Sequence, residues 1–449
     1  MRNLLRLISR FRRDRRGNIA VIFAIACIPL ISAIGGAADF SRAAVYKSKL
    51  QGAADAASVG SVAKSSPAYV AAGSMTADGA IPVGVTDATN IFNGNISGVT
   101  GYTLNSLTAA VTKTGSVVNS TVSFSADVPA VFLGIVGLNK MTVTGTSTAT
   151  ANMPMFVDFY LLLDNSPSMG VGATPTDVAT MVSNTPDKCA FACHDLSSPK
   201  NSYYTLAKTL GVTTRIDVLR QATQNLMDTA QTSQTYSNQF RMAIYDFGAS
   251  SDSIGLRALF SLSSNLSSAK TAAGNIDLMG VWGQNDKYTA DKDTPFSTVL
   301  PQITKTIPSS GTGTAASPQK YLFFVSDGVA DESNAACKKT MISAAFGNIA
   351  PRCQSPLDAN LCDALKQKNV KIAVLYTTYL NLPTNNWYMA WIDPFNKPPY
   401  GPSPNSEIAA NMQSCASPGL YFEVSPSQGI SQAMNALFQL LIADARISS

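Results

Sequence analysis

The sequence predicts an α/β fold over residues 154–449, a mostly parallel sheet covered on both faces by helices, preceded by a single transmembrane helix and a small β-rich module. Three observations carry this prediction. Apolar, β-forming runs at 156–163, 320–326 and 370–377 alternate with stretches of helical spacing, and such alternation gives βαβ units and a parallel sheet. Residues 19–38 form a run of 20 residues without a charge, enough to cross ~30 Å of hydrocarbon as a helix. Val- and Thr-rich alternation at 116–128 and 141–150 has the period of half-buried strands.

In chain order, residues 1–17 are a basic head. Residues 1–16 hold seven Arg and one Asp, so the formal charge of +5 is local and the remaining chain is near −1. No basic stripe recurs, which argues against nucleic-acid binding. Lys and Arg stay on the cytoplasmic side of a span, so 18–38 is an anchor with its amino end inside. A cleaved signal peptide ending in Gly35, Gly36, Ala37 and Ala38 competes with the anchor, but the apolar run is long for an h-region of ~7–15 residues. Residues 39–66, with Ala, Leu, Lys and Gln and no proline, continue the helix. Residues 67–153 form the β-rich module. Within it, Pro129-Ala-Val-Phe-Leu-Gly-Ile-Val-Gly137 reads as a short core helix or as a loop that meets the membrane surface.

The stretch Gly17-Asn-Ile-Ala-Val-Ile-Phe-Ala, then Asp39, Arg42 and Leu50-Gln-x-Ala-Ala-Asp-Ala-Ala57, resembles the amino-terminal segment of TadG-like proteins of Tad (Flp) pilus assembly. The resemblance implies a single-pass protein of the bacterial inner membrane, amino end cytoplasmic and main domain periplasmic. Pilin-like precursors carry Glu five residues after the processing glycine. This chain has Ile22 there, which favours a retained anchor over a polymerising pilin.

Within 154–449 the expected strands fall at 156–163, 240–247, 253–260, 320–328, 370–377 and 419–424. Helices are expected at 215–229, 266–278, around 298 and at 430–443, with insertions at about 171–212, 329–358 and 379–404. The first strand ends in Asp164-Asn-Ser166-Pro-Ser168, and a later one in Ser326-Asp327-Gly328. In open α/β sheets ligands sit outside the carboxyl ends of the strands, and clustered oxygen donors suit a small hard cation. Together with Thr294, these residues resemble the metal-ion-dependent adhesion site of von Willebrand factor A domains. That resemblance implies Ser166, Ser168 and Thr294 as direct ligands of Mg2+, or alternatively Mn2+ or Ca2+. Asp164 and Asp327 would hold the ion through water, and an acidic group of a protein partner would complete it. Thr298 and Thr289 are alternatives to Thr294.

Cys27 lies in the span. Cys189, Cys193, Cys337, Cys353, Cys362 and Cys415 lie in the exported domain, where an even count favours disulfides with 15 possible connectivities. A local Cys189–Cys193 pair is the expectation. The segment Cys189-Ala-Phe-Ala-Cys193-His194 is one residue too long for haem attachment and has zinc-ligand types. An aromatic stretch, 385–400, is expected as a loop near the cation edge.

The functional expectation is therefore a non-enzymatic, membrane-anchored component of Tad pilus assembly that binds a protein partner, another pilus-assembly or surface component, and supports adherence. The alternatives are a metal-dependent hydrolase using Asp164 and a released, secreted adhesin. Against the hydrolase, no Gly-x-Ser-x-Gly elbow is present and His194 is the only histidine.

Overall fold

The computed structural model describes residues 17–236, 238–282, 293–332, 353–379, 381–396, 406–425 and 429–447. The basic head before Gly17, Thr289 and Cys337 lie outside them. The chain divides into two compact units, Met1–Met153 and Pro154–Ser449.

In the first unit, helix α1 (Gly17–Ser61) is long and continuous. From Val21 it is the one helix among the described residues that is long and apolar enough to cross a membrane. Its second half is not a bare continuation of the span. Ala43, Leu50, Ala53, Ala54 and Ala57 recur at helical spacing and are buried, against an antiparallel sheet of strands β1 (Gly79–Ala80), β2 (Thr103–Thr114), β3 (Val117–Pro129) and β4 (Lys140–Asn152). The stretches expected as separate, 39–66 and 67–153, thus share one core. Small side chains let the backbones approach, and hydroxyl pairs bridge them: Ser58 Oγ to Ser147 Oγ at 2.9 Å and Ser61 Oγ to Ser120 Oγ at 2.8 Å. Burial alternates residue by residue along β3, as its period-2 pattern requires. Helices α2 (Pro67–Ser74) and α3 (Pro82–Asn95) occupy a stretch that had no helical expectation.

The second unit is built on a six-stranded sheet. Its strands are β5 (Val157–Leu163), β6 (Phe240–Gly248), β7 (Ile254–Ser263), β8 (Gln319–Ser326), β11 (Lys371–Thr377) and β12 (Tyr421–Val424). A separate two-stranded ribbon comprises β9 (Val329–Glu332) and β10 (Cys353–Pro356). The order across the main sheet is β12-β11-β8-β5-β6-β7. Every pairing is parallel except β6–β7. Strand β5 is buried at every residue, as a central parallel strand covered on both faces must be. One face carries helix α6 (Arg215–Ser233), α7 (Leu266–Ala273) and α11 (Ile430–Ile447) through a core that includes Phe159, Leu219, Phe323 and Phe438. The other carries α8 (Phe296–Thr306), α9 (Asp363–Gln367) and α10 (Glu407–Cys415) through Leu162, Phe296, Phe324, Leu365 and Met412.

The chain starts in the middle of this sheet. From β5 it moves outward to β6 and β7, then returns to lay β8 on the other side of β5. The loops after β5 and β8 therefore leave neighbouring strands in opposite directions and open a crevice at the carboxyl edge. The insertion 171–212 contains helices α4 (Pro175–Asn184) and α5 (Tyr203–Thr209). Helix α7 stops at Ala273, short of the expected 278, where Gly274 follows.

Candidate cation-site edge

Two loops make the site, and local chemistry explains their shapes. After β5, the Asp164 N–H donates to Val325 O at 2.9 Å, so the loop starts in register with β8. Asn165 is fully buried. Its side chain accepts from Phe247 N–H at 3.1 Å and donates to Gly248 O at 2.9 Å and Asp277 O at 3.2 Å. Ser166 precedes a short 3-10 turn, Pro167–Gly170, with proline in its first turn. After β8, Gly328 has φ +76, and a Cβ there would lie 2.7 Å from Met412 and 2.8 Å from Ile408. Glycine is needed at this position both for the left-handed turn and for the close packing.

Asp164 is fully buried. Its oxygens accept from Ser166 N–H at 2.9 Å and Ser326 Oγ at 2.6 Å. The Ser166 and Ser168 hydroxyl oxygens are 3.0 Å apart. Burial first, and the neighbouring Asp327 second, push the Asp164 carboxyl up to about 7, against the donors that lower it.

Asp327 has a partner that sequence reasoning missed. Arg215, the first residue of α6, donates from Nη1 to Asp327 Oδ2 at 3.2 Å, with both side chains shielded from solvent. Its Nη2 donates to Thr378 O at 3.0 Å, and its guanidinium carbon lies 5.2 Å from the centre of the Tyr379 ring. The buried Tyr379 hydroxyl lies near Asp327 and Ser168. Burial and the Asp327 charge raise its pKa well above the usual phenol value. Asp164, Ser166 and Ser168 are therefore joined through short polar contacts, Ser326 ties Asp164 to the end of β8, and Arg215 pairs with Asp327 in the loop that follows.

Thr294 reaches this region through its main chain. Its N–H donates to Asp331 O at 3.3 Å, and Asp331 N–H donates to Thr294 O at 3.1 Å. Asp331 lies on β9, the strand that follows Asp327 and Gly328, so Thr294 is tied to the second loop. Thr298 lies within α8.

Two of the cysteines depart from expectation. Cys189 and Cys193 stand as thiols and form no disulfide. The Cys189 sulfur is turned to its own loop, donating to Phe191 O at 3.7 Å and accepting from Phe191 N–H at 3.5 Å. Among the described residues the disulfide is Cys362–Cys415, separated by 53 positions. The side chain of Cys353, like Cys337, lies outside the described residues. His194 stacks on Tyr204 with ring centroids 4.5 Å apart. Among the described residues no group of three or more His, Cys, Asp or Glu is placed to hold a metal. In the aromatic stretch, Tyr388–Ile392 form a turn of π-helix, and Trp387 packs edge-on against Phe191 at 5.4 Å.

Residues 17–64 match the family model described as Tad, putative Flp pilus-assembly TadE/G-like. No curated protein matches the chain. Among solved structures, the chain is similar to the vWF domain of the type V pili tip protein Mfa5 from Porphyromonas gingivalis. Identity is 10%, TM-score 0.34, and coverage 65% of this chain and 97% of that one. It is also similar to the PilB minor pilin from Streptococcus sanguinis, with 11% identity, TM-score 0.33, and coverage of 77% and 78%. For the pilus adhesin SpaC from Lactobacillus rhamnosus GG the values are 11% and 0.34, with coverage of 77% and 34%.

Proposed function

Taking the chain as a TadE/G-like member of the Tad family through residues 17–64, we propose that it is an inner-membrane component of Tad/Flp pilus assembly. Its carboxyl-terminal unit, of von Willebrand factor A type, would be periplasmic and bind a protein partner. The order β12-β11-β8-β5-β6-β7, with only β7 antiparallel, supports that domain type. The observation that carries the proposal is the convergence of Asp164, Ser166, Ser168 and Asp327 at the crevice between β5 and β8.

The residues present fit a hard divalent cation. Two hydroxyl oxygens 3.0 Å apart stand beside two buried carboxylates, an all-oxygen set of the kind Mg2+ accepts. Ser166 and Ser168 would hold the ion, with Asp164 and Asp327 behind them and Thr294 from the segment before α8. The ion, when bound, supplies an electrophilic position for a carboxylate of the partner. Arg215 donates to the Asp327 carboxylate, so a metal at this site would compete with a cation from the chain itself. Asn165 keeps the first loop fixed in either case.

The hydrolase alternative gains nothing from Asp164. Its two oxygens already accept from Ser166 and Ser326 and are sealed from solvent, which is not the setting of a nucleophile.

The test is capture of partners from membranes with Mg2+ or with EDTA, comparing wild type, Asp164→Ala and Ser166→Ala. The proposal expects partners to be retained only by wild type with Mg2+. Partners retained equally in every arm would overturn it. The mass of the mature chain separates the anchored form from a released adhesin.

A further inference from the structure

The turn between β3 and β4 has the wrong surface for a soluble loop. Val131, Phe132, Ile135, Val136 and Leu138 are all exposed, from 42% at Phe132 to 65% at Ile135. Leu133–Val136 form a single 3-10 turn that ends at Gly137 with φ +89, so the apolar side chains are carried outward on a compact knob. Turns between antiparallel strands are ordinarily polar, and exposed apolar clusters mark surfaces that something covers.

The fastening of this knob indicates what covers it. Asp39 is the first charge after the apolar run of α1, and it is buried. Its carboxylate accepts three main-chain N–H groups of the knob: Val131 at 3.0 Å, Phe132 at 2.8 Å and Leu133 at 2.9 Å. On the span side of Asp39, a Cβ at Gly35 would lie 2.3 Å from Phe132 Cβ, and one at Gly36 would lie 3.1 Å from Leu133 Cδ2. The two glycines thus let the knob lie directly against the helix, about one turn, or ~6 Å, into the apolar run. At that level α1 itself exposes Ile31 and Ile34, so helix and knob present adjoining apolar surface. On the other side of Asp39 the first basic groups appear, Arg42 half-exposed and Lys140 exposed at the start of β4, beside the exposed apolar side chains of Phe40 and Val45.

We propose that the 131–138 knob is a second membrane-inserted element. It would sit in the acyl region of the leaflet from which α1 emerges, with Arg42 and Lys140 at the headgroups. The knob would fix the depth and rotation of α1, because Asp39 ties the two rigidly at the membrane surface. A helix alone can tilt and turn in the bilayer, whereas a helix with a side anchor cannot turn without pulling the anchor out. The inference rests on the reading of α1 as a membrane anchor.

The experiment uses the full chain reconstituted in phospholipid vesicles that contain a phospholipid with a carbene-generating group on its acyl chain. After flotation and irradiation, adducts are mapped by peptide mass spectrometry. The expected result is adducts within 19–38 and also within 131–138. In Ile135→Asp/Leu138→Asp the loop adducts should fall by about tenfold or more, since a carboxylate is costly in hydrocarbon, while those in the span persist. A chain that floats but carries adducts only within 19–38 would overturn the inference and leave the anchor reading intact. Crosslinks from 131–138 to protein in place of lipid would overturn it equally. A chain that does not float removes the anchor reading and the inference with it.

Discussion

Arg215 and Asp327 form an ion pair at 3.2 Å across 112 positions of sequence, and neither side chain is exposed to solvent. One comes from the first turn of α6 and the other from the loop after β8. Breaking a buried pair by removing one partner leaves an uncompensated charge, which costs about 3–5 kcal/mol. Arg215→Met should therefore lower the melting temperature of the full chain in detergent by on the order of 10 °C. Arg215→Met combined with Asp327→Asn removes both charges and should recover most of the loss. A single variant that melts with the wild type would show that the pair contributes nothing.

The same pair predicts how the site responds to metal. Mn2+ serves as a stand-in for Mg2+ whose free form is read by electron paramagnetic resonance. Wild type should bind it, and Ser166→Ala/Ser168→Ala should not, because the paired hydroxyls at 3.0 Å are lost. Arg215→Met should bind about tenfold more tightly, a gain of about 1.4 kcal/mol, because Asp327 no longer has a guanidinium to surrender. Equal or weaker binding in Arg215→Met would mean that the guanidinium and the metal do not compete.

Much of this site can be read from the sequence, and the reason is local. A run of β-formers that stops at an acid is visible without a structure, so Asp164, Ser166, Ser168 and Asp327 stand out. Arg215 does not. An arginine at the start of a helix looks like any solvated charge, and nothing nearby marks Asp327 as its partner. Tyr379 is hidden for the same reason. The parallel sheet follows from the long apolar strands, but the stretch that holds α2 and α3 is broken by Gly73, Gly79, Gly84 and Gly94. Their signals were the Ser66 cap, whose oxygen accepts from Tyr69 N–H, and prolines at the first turns of both helices. The Cys362–Cys415 pairing could not be read from spacing, because the fold alone brings α10 beside the turn at Cys362.

That disulfide joins the end of α10 to the 3-10 turn Ala359–Cys362, and both sulfurs lie in the core under the sheet. Closing a loop of 53 positions restricts the unfolded chain by about 4 kcal/mol in the chain-entropy treatment. Cys362→Ala/Cys415→Ala should therefore melt well below wild type, and reductant should lower wild type by more than it lowers the variant. Reductant that lowers both equally would point to another disulfide as the stabilising one.

The seat of α1 on its sheet is tested by two glycines of opposite character. On β4, a Cβ at Gly145 would lie 2.3 Å from Gln51 Oε1 and 2.5 Å from the Phe124 ring. Gln51 in turn donates to Thr146 O at 3.1 Å and to Asp55 at 2.9 Å. Gly145→Ala must therefore displace a side chain of α1 or one of the core, at a cost of about 1–3 kcal/mol, even though alanine is the better strand residue. Gly52, one residue further along α1, has nothing within 4 Å of its Cβ position. Gly52→Ala should stabilise the helix by about 1 kcal/mol. Hydrogen exchange of β2–β4 amides in the full chain should thus become faster in Gly145→Ala and no faster in Gly52→Ala. If both variants protect those amides as wild type does, α1 does not rest on the sheet at Gln51, and the shared core of this unit must lie elsewhere along the helix.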